Sequence, residues 1–170
     1  HVLPKALDPD MSKKVETYMQ GQKVELCLNQ RLETITGNGE VKRVALSSGE
    51  EIETQMVLIS TGVKPNIELA EQADLNMGTL GLSVNEYLQT SDPCIYAGGD
   101  LIEYPHWVTG KQALGQLRPN AVIAGRVIAR NILGGQVEYP GLINSFETKF
   151  FDKSIAGTGL TEQQAVEYGL

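Results

Sequence analysis

Cysteine is scarce in this 170-residue chain. Cys27 and Cys94 stand far apart, in no C-x-x-C or His-paired spacing, which excludes a disulfide framework and a Cys/His zinc site. Lysine and arginine form no run, and a net charge of -7 gives nucleic acid or an acidic membrane surface no electrostatic footing. Long apolar runs are also lacking. The stretch from Ala121 to Leu133 is broken by Arg126 and Arg130 and is too short to span a bilayer, and no signal segment is visible. No G-x-G-x-x-G opens a βαβ unit, so no pyrophosphate cradle of that kind is written in these residues. What remains is an ordinary globular composition, 41% hydrophobic and 21% charged, expected to fold in a reducing cytoplasm. The sequence opens on His1 and runs at once into a structured-looking segment, so the gene is expected to begin upstream.

The pattern along the chain mixes periods. Asp8-Pro9 predicts a helix start, with Asp8 as N-cap and Pro9 at the first position, and Met11, Val15, Tyr18 and Met19 share a face that Gly21 closes. Val24, Leu26 and Leu28 then alternate with polar residues as in a half-buried strand, which makes Cys27 a bystander on the polar face. Extended segments near 31–36, 41–46 and 52–60, separated by Gly37-Asn38-Gly39 and Ser47-Ser48-Gly49, predict a β-meander. Its last member turns continuously apolar at Met56-Val57-Leu58-Ile59, as a strand buried on both faces would. A short helix capped by Asn66 is expected through Ala73, a short buried strand at 93–97, and a helix from Arg118 to Leu133 with Ala121, Gly125, Ile128 and Ile132 inward. Tyr139-Pro140-Gly141 marks a boundary, followed by a strand at 146–156 and a helix start at 161–168. The fold class is α/β with an antiparallel insertion.

Two strand ends carry chemistry. Ser60-Thr61-Gly62, followed by Lys64-Pro65-Asn66, lies at the end of the apolar segment, where open α/β sheets bind ligands; taken alone it reads more readily as a strand-ending turn. Thr90-Ser91-Asp92-Pro93 leads through Ile95-Tyr96-Ala97 into Gly98-Gly99-Asp100, which delivers a carboxylate at a glycine turn. Asp100 can accept hydrogen bonds from sugar-like hydroxyls, or serve as a turn or cap aspartate. His106, in the aromatic loop Tyr104 to Trp107, reads as a packed or solvated histidine more readily than as an acid or base. Arg126 and Arg130, one turn apart, have the spacing of a phosphate clamp, but a solvated helix face is the usual reading of such a pair.

With these two motifs in order, the chain resembles the pyridine nucleotide-disulfide oxidoreductases, in particular the NADH oxidase and coenzyme A-disulfide reductase group. The likeness extends over Leu3-Pro4-Lys5-Ala6-Leu7-Asp8, Ile59 to Asn66, Val84 to Asp100, Gly125-Arg126 and Gly157 to Glu162. It implies carboxy-side portions of two nucleotide-binding domains: residues 1–62 as the second half of an NADH-binding domain, 63–136 as the returning segment of an FAD-binding domain, and 137–170 as the start of an α+β interface domain. It implies FAD and NAD(P)H as cofactors. Asp100 would bind the ribityl chain with Gly99 packed close to the cofactor, Leu117, Arg118 and Pro119 would begin a helix beside the flavin ring, and Thr61 and Gly62 would lie near the nicotinamide nucleotide. Arg118 departs from the small residue usual there. The family's phosphate-binding glycine turns and redox cysteine would lie upstream, so no catalytic residue and no metal ligand is assigned within the chain.

The resemblance further implies small-molecule substrates and a homodimer for the full-length protein. The activity it suggests is hydride transfer from NADH to FAD and on to a disulfide, a peroxide or dioxygen. A ferredoxin- or nitrite-reductase-type flavoprotein reductase is the enzymatic alternative. A stand-alone, non-catalytic binding module is the alternative of another class.

Overall fold

A computed structural model describes residues 1–170. The chain divides into two compact units, one of residues 1–62 with 161–163 and one of residues 63–160 with 164–170.

In the first unit, Asp8 enters helix α1 (Pro9–Gly21) in extended conformation with Pro9 at the first position, but the Asp8 side chain makes no capping bond. Of the expected face Val15 is buried, Tyr18 and Met19 are half-buried and Met11 is exposed, and the polar Ser12 and Glu16 are buried beside Val15. The polar residues turn inward because backbone groups await them. Ser12 Oγ donates to the Val2 carbonyl at 2.6 Å, and the Val2 N–H donates to Glu16 Oε1 at 3.2 Å. Gly21 does not end the helix by itself. Lys23 takes the left-handed conformation (φ 64°), while the Lys23 N–H bonds Gln20 O at 3.0 Å and the Val24 N–H bonds Met19 O at 3.1 Å. That paired closure is a Schellman motif. It takes up the first amide of the segment expected as a strand at 24–28, and no strand forms there.

The meander is present: β1 (Leu32–Gly37), β2 (Val41–Leu46) and β3 (Glu51–Glu53) pair antiparallel in that order. Its third strand is far shorter than expected. Residues 54–62 leave the sheet, and Met56, Leu58 and Ile59 are 81%, 88% and 64% exposed. An apolar run that the sequence assigns to a doubly buried strand has here no strand on either side.

The second unit holds the main core: Ala70, Leu75, Leu82, Leu88, Ala97, Ile102, Ala124, Val127, Tyr139 and Leu142. Helix α2 (Glu68–Gln72) starts after Ile67, one residue beyond the expected cap Asn66. The expected strand at 93–97 is reduced to a single bridge between Gln89 and Tyr96, although Ala97 N–H still bonds Leu88 O at 3.0 Å. Strands β4 (Glu103–Pro105) and β5 (Gln112–Leu114) make a hairpin where the sequence suggested an aromatic loop.

Helix α3 (Arg118–Ile132) buries Ala124, Val127 and Asn131; of the expected face Ala121 and Ile128 are half-buried, Ile128 against the core, while Gly125 and Ile132 are exposed. Asn131 sets the phase. Its amide donates to the carbonyls of Tyr87 and Val137, both at 2.9 Å, and its oxygen accepts the Val137 N–H at 2.8 Å. Gly134, at φ 87°, closes the helix as expected, with Gly134 N–H on Asn131 O and Gly135 N–H on Arg130 O, each 3.0 Å. The strand expected at 146–156 is a hairpin, β6 (Ser145–Phe150) and β7 (Lys153–Thr158), turning at Phe151 (φ 53°) and Asp152. Helix α4 covers Glu162–Glu167. No helix is long and apolar enough to cross a membrane.

Candidate cofactor-binding site

The turn Gly98-Gly99-Asp100 is held from behind by the core. Leu82 N–H bonds Leu101 O at 2.8 Å and Glu103 N–H bonds Leu82 O at 3.1 Å, so the chain leaving Asp100 is tied down at once. The Glu103 carboxylate, itself buried, accepts the N–H groups of Leu80 at 2.7 Å and Gly81 at 3.3 Å, which fixes the adjoining turn.

The two glycines serve contact with α3. A Cβ on Gly98 would stand 2.8 Å from Ala124 Cβ and 3.0 Å from Ile128 Cδ1; one on Gly99, whose φ is +85°, would stand 3.5 Å from Ala121 Cβ. Without those side chains the turn presses onto the amino-terminal half of α3, and Asp100 emerges near the helix start. Its carboxylate is exposed and has no hydrogen bond or ion pair in the structure.

The helix start is built to leave donors free. Leu117 occupies the N-cap in extended conformation (φ -134°, ψ 139°), Pro119 lies in the first turn, no side chain caps it and no acidic residue lies in it. Gln116 Nε2 reaches the Asp100 carbonyl at 3.5 Å, and Asn120 Nδ2 donates to the Gly115 carbonyl at 3.1 Å. The second unit thus brings Gly99, Asp100, Leu117, Arg118 and Pro119 together. Thr61 and Gly62 belong to the first unit, exposed at the end of the unpaired apolar run, with Gly62 at φ +100°. Gln116 and Asn120 were missed from the sequence, since neither occupies a position that capping rules mark.

The residues that invited other roles are accounted for. His106 is 5% exposed and pairs with Leu142 across a parallel bridge; its Nδ1 accepts the Val108 N–H at 3.3 Å, and its Nε2 has no partner. Tyr104 and Tyr139 meet edge to face at 4.9 Å, and Tyr104 Oη donates to the Tyr139 carbonyl at 3.4 Å. Burial pushes both phenols up from their ordinary value, reinforced at Tyr104 by the carboxylates of Glu86 and Glu138 and at Tyr139 by Tyr104. Arg126 and Arg130 are exposed. Cys27 and Cys94 are exposed free thiols.

A glycine turn packed on a helix, a free carboxylate at its end and an uncapped helix start beside it can accept hydrogen bonds from hydroxyls and offer backbone donors to a partly anionic group. The family model "Pyridine nucleotide-disulphide oxidoreductase" matches residues 1–125. The chain belongs to this family. An NADH oxidase of Methanocaldococcus jannaschii is 40% identical over 160 residues, 94% of this chain and 36% of the relative. The solved NAD-dependent persulfide reductase of A. fulgidus is 40% identical, with a TM-score of 0.93, over 99% of this chain and 31% of that one. A FAD-dependent pyridine nucleotide-disulphide oxidoreductase of Desulfovibrio vulgaris, 31% identical, matches 99% of this chain and 43% of that one at a TM-score of 0.91. The fold is therefore the α/β fold of the family's nucleotide-binding domains, and this family member spans roughly a third of the M. jannaschii and A. fulgidus relatives it matches.

Proposed function

We propose that the chain is the carboxy-side portion of a FAD-dependent NAD(P)H oxidoreductase of the NADH oxidase or coenzyme A-disulfide reductase type. Residues 1–62 would complete an NADH-binding domain, 63–136 would return to an FAD-binding domain, and 137–170 would open an interface domain of a cytoplasmic homodimer. The observation that carries this reading is the convergence of the free Asp100 carboxylate, the Gly98-Gly99 turn and the uncapped α3 start in one place.

The donor set fits FAD. Asp100 accepts hydrogen bonds from the ribityl hydroxyls, and a charged acceptor makes each of them stronger than a neutral one would. Pro119 carries no N–H, but the backbone N–H groups of Arg118 and Asn120 have no acceptor in the structure, so they and the positive end of the α3 dipole would favour negative charge on the reduced flavin. Gly99 lets the backbone approach without a side chain in between. Thr61 and Gly62 would border the nicotinamide nucleotide. When bound, the flavin and nicotinamide supply hydride transfer, while the chain positions them. The names of the relatives, an NADH oxidase and an NAD-dependent persulfide reductase, support NADH as electron donor and a persulfide as one acceptor in the full-length protein.

The test is Asp100→Ala in the full-length protein. Removing the acceptor leaves buried hydroxyls unpaired, and FAD is expected to bind about 1 to 3 kcal/mol more weakly, with paler purified protein. A flavin-to-protein ratio and FAD dissociation constant equal to wild type would refute the assignment.

A further inference from the structure

We propose that Asn120 is a positioning residue for the flavin: it anchors the start of α3 without consuming the helix's own N–H donors. The inference rests on the reading of this site as the FAD contact. Most helix starts are held by a Ser, Thr, Asp or Asn at the N-cap, whose side-chain oxygen takes an N–H of the first turn. Such a cap stabilises the helix and uses up a donor. Here the N-cap is Leu117, which can do neither.

Asn120 replaces that anchor from inside the helix. Its Nδ2 reaches back five residues to the Gly115 carbonyl at 3.1 Å, an oxygen that also accepts the Leu117 N–H at 2.6 Å. The bond therefore ties the chain leading into the helix rather than the helix's own amides. Packing makes the arrangement specific. Gly115 is buried, and a Cβ there would meet the Leu142 side chain and stand 2.8 Å from Asn120 Nδ2, so only glycine admits the approach. The same short connection carries Gln116, whose amide touches the Asp100 carbonyl. Holding Gly115 thus holds both contacts of the site at once: the acceptor on Asp100 and the free amides of Arg118 and Asn120.

Three variants of the full-length, FAD-loaded protein test this: Asn120→Ala, Asn120→Asp and Asp100→Ala. Each is read by the FAD dissociation constant, the midpoint potential of the bound flavin and the melting temperature. Asn120→Ala is expected to bind FAD about threefold to fivefold more weakly, the loss that corresponds to a helix-terminus interaction, and to move the potential to more negative values. Asn120→Asp keeps the shape of the side chain but cannot donate to Gly115, and its carboxylate competes for the first-turn amides. It is expected to lose more FAD affinity than Asn120→Ala while keeping or raising the melting temperature, because an acidic residue suits the first turn of a helix. A purely structural asparagine would give the reverse order. If Asp100→Ala releases flavin while both Asn120 variants keep wild-type affinity and potential, the role of Asn120 is wrong and the site stands. If all three behave as wild type, the site itself is wrong and the inference falls with it.

Discussion

Two buried side chains show how single residues set the architecture. Asn131, 5% exposed, satisfies three backbone groups from two loops, and no apolar residue of similar size can do so. Asn131→Ala leaves those groups without partners and is expected to lower stability by about 2 to 4 kcal/mol. Urea unfolding with an unchanged denaturant slope would measure it, and a loss under about 0.5 kcal/mol would mean that water replaces the amide. Tyr139 gives a pH-dependent counterpart. Burial raises its pKa above the ordinary 10.0, so above that pH the unfolded chain releases a proton that the folded one retains. Its contribution is complete below about pH 10 and is lost as the pH rises through the folded value. Tyr139→Phe should therefore flatten the alkaline fall of the melting temperature as the pH rises above about 10. A fall as steep as wild type would remove Tyr139 from the account.

At the scale of elements, α3 against the Gly98-Gly99 turn is the decisive contact. Gly98→Val would place side-chain atoms where Ala124 and Ile128 already stand, and overpacking of this kind costs about 1 to 3 kcal/mol. Gly125→Ala meets nothing within 4 Å and should instead stabilise the helix by up to about 1 kcal/mol. Thermal unfolding of the pair separates the observed packing from the face expected from sequence, which put Gly125 inward; equal destabilisation by both would favour that expectation. The reason for the miss is physical. Apolar periodicity weighs Ile132 above Asn131, yet the amide has three partners to meet and the isoleucine none. The same blindness to polar burial left Ser12 and Glu16 off the α1 face that Val15 shares with them. The bounds of α1 and α3, the Gly134 closure and the meander were legible because each is fixed by local backbone chemistry. The hairpin at 103–114 and the cut-off strand at 54–62 were not, because pairing depends on what lies opposite. Asp100 stood out through its preceding glycines, whereas Asn120 acts through a carbonyl that no sequence pattern marks.

At the scale of the whole molecule, the division after Gly62 places the two expected cofactor contacts in different units, and the family match crosses that division. The first unit has little core of its own: β1 is exposed throughout, and Val44 is the buried residue of β2. The run Met56-Val57-Leu58-Ile59 is uncharged, β-branched at two of its four positions, free of proline and outside any helix or strand. Segments of that composition stack in register, each backbone satisfying the next, when nothing covers them. Expressed by itself, the 170-residue chain should therefore carry a built-in seed for fibrils. Its solutions are expected to gain thioflavin fluorescence after a lag that shortens with concentration, and Leu58→Lys should abolish the gain by placing a charge in every layer of the stack. Fibrils growing equally from the lysine variant would trace the seed to another strand.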